Sequence, residues 1–232
     1  MPTTIDNIEV LFEDNHLIVI NKQPSDIVQA DKTGDVALLE IVKNYIKIKE
    51  KKEGNVFVGV THRIDRPTSG AVIFAKTSKA LVRLNEMFRN QEIEKIYWAL
   101  TSSLPNEKDQ DTLTHYLKKN EKNNKSTVFI KETIEAKHAI LHYKNLRKLD
   151  NYYLLEVKLE TGRHHQIRAQ LGFLKCPIKG DIKYGAKRTN ENGSIHLHSR
   201  KIAFNHPIKK EMISIIAPLP KNDKIWEAVN DL

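Results

Sequence analysis

The sequence predicts an α+β fold: a mixed, mostly antiparallel sheet flanked by a few helices. Three observations lead there. Short apolar segments with strand patterning recur along all 232 residues, and segments of helical periodicity fall among them irregularly rather than after every strand, which argues against repeated βαβ units. Two strand-dense portions, before and after residues 103–126, imply two sub-lobes of one sheet with a central cleft. No repeat or linker interrupts the chain, so a single domain over 1–232 is expected.

The elements follow in order. Residues 8–12 and 17–21 are apolar runs joined by the polar turn Glu13-Asp14-Asn15-His16, which predicts a hairpin. Over 35–49, Val36, Leu39, Val42, Tyr45 and Ile46 recur at helical spacing, and the charged run from Lys49 to Glu53 is a solvated helix end. Val56 to Val60 and Ala71 to Ala75 predict core strands, which leaves Thr61 to Gly70 as a loop. A helix over 78–89 would bury Leu81, Leu84 and Phe88. A strand over 93–101 is followed by the polar excursion 103–111 and a Lys- and Asn-rich loop over 118–126. Residues 153–159 alternate with period two, as in a half-buried strand. The turn Thr161-Gly162-Arg163 then leads into a helix from His164 to Leu171, late strands at 195–204 and 212–216, and a closing helix at 222–230.

Composition narrows the function. Lys and Arg number 38 against 29 Asp and Glu, a formal charge of +9, which suits a polyanionic partner as well as it suits plain solubility. The first 25 residues hold Asp6, Glu9, Glu13 and Asp14 and no long apolar run, so neither a secretory signal nor a membrane anchor is expected and the cytoplasm is the expected location. A single cysteine, Cys176, excludes an internal disulfide and a multi-cysteine metal site.

Two clusters have the makings of chemistry. The loop His62 to Gly70 packs Arg63, Asp65 and Arg66 with the hydroxyls of Thr68 and Ser69, so Asp65 is a candidate nucleophile or base kept ionised by positive neighbours; the plainer alternative is a surface ion-pair cluster. Thr161 to Arg168 forms a strand-to-helix junction with Arg163, His164, His165, Gln166 and Arg168, either a phosphate site at a helix start or a capped helix with solvent-facing histidines. Adjacent histidines on a helix diverge, and no completing ligand pattern accompanies them, so no metal is expected. Pro177 to Gly185 and His196 to Arg200 are phosphate contacts or ordinary turn chemistry. Tyr97 is a stacking platform or a core residue.

His62-Arg63-Ile64-Asp65 followed by Thr68-Ser69-Gly70 resembles the signature of the RluA-type RNA pseudouridine synthases. The resemblance continues in the family's order through Lys95 to Leu100, Thr161 to Arg168, Pro177 to Asp181 with Tyr184-Gly185, and His198 through His206-Pro207, and covers roughly residues 17 to 219. It implies the synthase fold with an RNA-binding cleft. It also implies an isomerase that converts uridine in structured RNA, ribosomal or transfer, to pseudouridine without a metal or organic cofactor. Asp65 would be the catalytic carboxylate and Arg168 its ion-pair partner; Tyr97 would stack on the uracil and Ile167 pack against it. Arg63, Arg66, Lys95, Arg163, His164, Gln166 and His198 would contact the RNA, with Arg63 filling the space a flipped nucleotide leaves.

One departure stands out. The family's Lys-Pro-x-Gly block appears here as Lys22-Gln23-Pro24-Ser25-Asp26, with Gln23 inserted and Asp26 at the glycine's place. The resemblance also implies a catalytic domain without the accessory RNA-binding domain of many relatives, and no obligate protein partner. Two other functions fit parts of the pattern: a metal-dependent nuclease using His62, Asp65, His164 and His165, and a non-catalytic RNA-binding protein with no use for Asp65.

Overall fold

The structure, a computed structural model, describes residues 2–232. The chain forms two compact units. The first contains the chain up to Ile93 together with Ser199–Asn222, and the second contains Glu94–His198 and Asp223–Leu232. The division falls earlier than the 103–126 region, because the strand beginning at Glu94 opens the second unit.

In the first unit β1 (Val10–Glu13) pairs with β2 (Leu17–Lys22), β2 with β4 (Ser69–Ala75), and the short β3 (Gly59–Val60) with β4, all antiparallel. The chain returns in β10 (Leu197–Asn205), whose residues from Ser199 onward belong here and lie beside β4, and β11 (Met212–Ile216) pairs with it. Every residue of β2 and β4 is buried, as continuous apolar runs require when both faces of a strand are covered. Helix α1 (Leu38–Lys49) buries Leu38, Ile41, Val42 and Ile46, a face rotated from the expected one, and Val36 lies outside the helix and exposed. Its start explains the shift: the Leu38 and Leu39 amides donate to the carbonyls of Ile27 and Val28, so neighbouring chain satisfies the first turn. Helix α2 (Ser78–Arg89) is capped by Thr77 Oγ1, which accepts from the Ala80 amide, and it buries Ala80, Leu84 and Met87, with Leu81 and Phe88 at the edge of the same core.

In the second unit β5 (Glu94–Thr101) pairs with β9 (Tyr153–Leu159), β9 with β8 (Lys137–Lys148), β8 with β6 (Gln110–Asn120), and β6 with β7 (Lys125–Phe129), again antiparallel. The Lys- and Asn-rich segment expected as a loop is thus the tip of a hairpin. Leu113, His115 and Leu117 alternate inward along β6 while Thr112, Thr114 and Tyr116 take the other face, and β8 follows the same rule with Ala139, Leu141 and Tyr143. Helix α3 (Gln166–Phe173) packs Ala169 against Leu117, Ala139 and Tyr184. The closing helix shrinks to α4 (Lys224–Glu227), capped by Asp223. No helix among the described residues is long and apolar enough to cross a membrane.

Candidate active site

The loop carrying Asp65 leaves β3 and enters β4, and side chains continue the pairing where β3 ends. Thr61 Oγ1 donates to the Ile73 carbonyl at 2.6 Å, and His62 Nε2 accepts from the Ile73 amide at 3.0 Å. The His62 ring also stacks on Phe88 at 4.6 Å, so His62 acts as a splint for the strand. Ile64 is buried, Asp65 is half-buried, and Arg63 and Arg66 are exposed, with Arg66 Nη1 2.7 Å from Asp35 Oδ2. The Thr68 amide closes a turn on the Asp65 carbonyl at 3.0 Å. Gly70 has φ +108°, and a carbon added to it would lie 2.4 Å from the Ser199 carbonyl, so both conformation and space demand glycine.

Beneath the loop lies Lys22, fully buried at the end of β2. Its Nζ donates to the carbonyls of Gln23 at 2.8 Å and Arg66 at 3.0 Å. Burial pushes its ammonium down to about 7, against the pull of Asp26 and Asp65 and with the push of Arg66.

The second cluster is built mainly from side chains. Thr161 Oγ1 and the Arg163 amide donate to Gln166 Oε1 at 2.8 and 2.9 Å, and Gln166 Nε2 donates to the Ile140 carbonyl at 3.0 Å. Arg163 Nε donates to the His138 carbonyl at 2.8 Å. The helix begins at Gln166, two residues later than expected, because His165 takes the left-handed conformation with φ 52°. This overturns the expectation that the two histidines diverge: their rings stack at 3.8 Å. His164 Nδ1 lies 2.9 Å from Ser126 Oγ, and His165 Nδ1 lies 2.9 Å from the Tyr184 hydroxyl. Among the described residues no group of three or more His, Cys, Asp or Glu is arranged to hold a metal ion.

Arg168, buried in the first turn of α3, makes a fork with Asp181: Nε to Oδ2 at 2.7 Å and Nη2 to Oδ1 at 2.9 Å. The Tyr184 ring lies 5.2 Å from the guanidinium carbon, and its hydroxyl accepts from the Ser126 amide at 2.7 Å. The sequence marks Asp181 as part of a phosphate-contact or turn segment and not as the partner of Arg168; the signal for that is that a buried arginine needs a buried carboxylate, and Gly180-Asp181 is the polar turn that follows α3. Ile167 is buried beside Arg168 in α3. Tyr97 is buried on β5 opposite Val157, and Lys95 is buried two residues before it with its ammonium lowered by desolvation. His198 is fully buried with its ring 6.0 Å from Trp226.

The fold is that of enzymes that modify uridine in RNA. Residues 16–172 match the family described as RNA pseudouridylate synthase, and the chain belongs to it, as a synthase of the RluA type. It is 29% identical over 218 residues to an RNA pseudouridine synthase of Bacillus subtilis, covering 93% of this chain and 70% of that one. It is 31% identical over 217 residues to ribosomal large subunit pseudouridine synthase C of Buchnera aphidicola, covering 90% and 66%. The chain therefore spans about two thirds of the length of these curated relatives. Its fold matches that of human RNA pseudouridylate synthase domain containing 4, with a TM-score of 0.78 at 22% identity over 96% of this chain and 93% of that one.

Proposed function

We propose that the protein converts uridines in structured RNA to pseudouridine with Asp65 as the catalytic carboxylate. The observation that carries the reading is that a half-buried carboxylate, flanked by two exposed arginines, sits in a tightly held loop within the family-matched segment. The reaction breaks the bond from N1 of uracil to C1′ of ribose, turns the base, joins C5 to C1′, moves the C5 proton to a base and returns a proton to N1. Asp65 serves the first bond cleavage as nucleophile or proton acceptor. Tyr97 stacks on the uracil and Ile167 packs beside it. Arg168 supplies positive charge that keeps a carboxylate ionised, and its fork with Asp181 fixes its orientation.

Arg63, Arg66 and the cationic excess bind RNA phosphates, with Lys95, Arg163, His164, Gln166 and His198 serving the RNA or the frame that meets it. If about six phosphates are neutralised, affinity falls roughly a thousandfold between 50 and 200 mM salt. Ribosomal and transfer RNA both fit, and relatives named as ribosomal large subunit synthases make large-subunit RNA the substrate to assay first. The test is tritium release from RNA labelled at uracil C5, run in EDTA with Asp65→Ala alongside. The wild-type protein should release tritium without free uracil or strand breaks, and Asp65→Ala should release none. Strand scission would point to a nuclease, and full release by Asp65→Ala would remove the carboxylate from the mechanism.

A further inference from the structure

We propose that Lys22 is a positioning residue for Asp65: its buried amino group fixes the loop just after Asp65 by binding the Arg66 carbonyl. The proposal rests on the reading of Asp65 as the catalytic carboxylate. Lys22 ends β2 in register with Gly70, at the point where the loop joins β4, and it is fully buried. The Arg66 carbonyl accepts from Lys22 Nζ at 3.0 Å and from the Ser25 amide at 3.0 Å, while the Asp65 carbonyl accepts from Thr68. Both carbonyls on the C-terminal side of Asp65 are therefore committed, two of the donors coming from residues 22–25.

That segment is itself anchored. Asp26, buried, accepts from the Thr3 amide at 2.9 Å, the Thr3 hydroxyl at 2.5 Å and the Gln23 amide at 3.2 Å. Lys22 Nζ also holds the Gln23 carbonyl, so one nitrogen ties the anchored segment to the loop. A buried ammonium is costly, and an apolar side chain of similar length would fill the same space without that cost. What the lysine adds is two directed bonds and a charge facing Asp26, Asp65 and Arg66.

The test uses the full chain and tritium release at limiting and saturating RNA, with Lys22→Met, Lys22→Gln and Asp65→Ala compared to wild type. Lys22→Met should remain folded, while its kcat should fall roughly tenfold or more with KM changed less than about twofold. Lys22→Gln keeps one amide donor and should fall between. A folded Lys22→Met with wild-type kcat, or with its loss confined to KM, overturns the proposal. Should Lys22→Met fail to fold, Lys22→Gln is judged by the same two criteria. An inert Asp65→Ala beside an unimpaired Lys22→Met removes the positioning role alone. An active Asp65→Ala removes the underlying reading and this role with it.

Discussion

The two polar clusters, alike in the sequence as short runs of arginine, histidine and hydroxyls, are held by different means. The 61–70 loop is fixed mainly through its backbone: the Ile73 amide and carbonyl, the Asp65 and Arg66 carbonyls, and a glycine jammed against Ser199. The 161–168 turn is held mainly by side-chain groups, Gln166, Arg168, Asp181, His165 and Tyr184. The lesson is that the first should fail by steric and conformational insult and the second by loss of a charge or a polar atom.

The sharpest way to break this contrast is to add one methyl group to each cluster. Gly70→Ala meets both a forbidden φ and a carbonyl at 2.4 Å, and should cost more than about 4 kcal/mol or abolish folding. Gly162→Ala has only Lys95 Nζ within reach, at 4.0 Å, and should cost under about 1 kcal/mol. Urea denaturation of the two variants decides it, and equal losses would erase the distinction.

The converse insult is to the ion pair. Asp181→Ala removes one carboxylate from a buried guanidinium and should cost about 3 kcal/mol, whereas Arg168→Met combined with Asp181→Leu should recover much of that loss while leaving the enzyme without Arg168. A double variant no more stable than Asp181→Ala would show that the pair contributes more than the desolvation it offsets. Activity separates stability from chemistry here: the refolded double variant should remain slow in tritium release.

How much of this was legible depends on what each feature needs. Strands β2 and β4 and helix α2 announce themselves because continuous apolar runs and helical spacing are local properties. The hairpin of β6 and β7 was hidden because its tip is Lys and Asn, and only Leu113, His115 and Leu117 mark the buried face of β6. Asp65 stood out by its flanking arginines. Lys22 and Asp181 did not, since burial comes from tertiary packing, and a lysine ending a strand or an aspartate in a turn is ordinary until its surroundings are known. His165 misled for a related reason: its left-handed φ delays the helix and stacks a pair that helical geometry would have separated.

Lys22 offers a pH test of the backbone-held loop. Its ammonium titrates near 7 in the fold, against about 10.4 in the unfolded chain. Between those values the unfolded chain keeps a proton the folded one has released, so this group makes stability rise with pH in that window and leaves it flat below. The gain from pH 7 to 10 is at most roughly 4 kcal/mol, and denaturation at the two pH values should show that slope reduced in Lys22→Met. An unchanged slope would mean that Lys22 keeps its proton throughout.

The smallest effect concerns the departure from the family's Lys-Pro-x-Gly block. The left-handed conformation in this segment falls on Ser25, with φ 81°, while Asp26, which stands at the glycine's place in the sequence, binds Thr3 and Gln23. Ser25→Gly relieves about 1 kcal/mol of backbone strain and gives back roughly half of that in the entropy of the unfolded chain, for a net gain of about 0.5 kcal/mol. Asp26→Gly removes the acceptor for three donors and should lose more than Ser25→Gly gains. Opposite signs in chemical denaturation would show that the loop's support was rebuilt one residue along. A stabilising Asp26→Gly would mean that the anchor to Thr3 carries no weight, and that the Arg66 carbonyl is held from below by Lys22 and Ser25 alone.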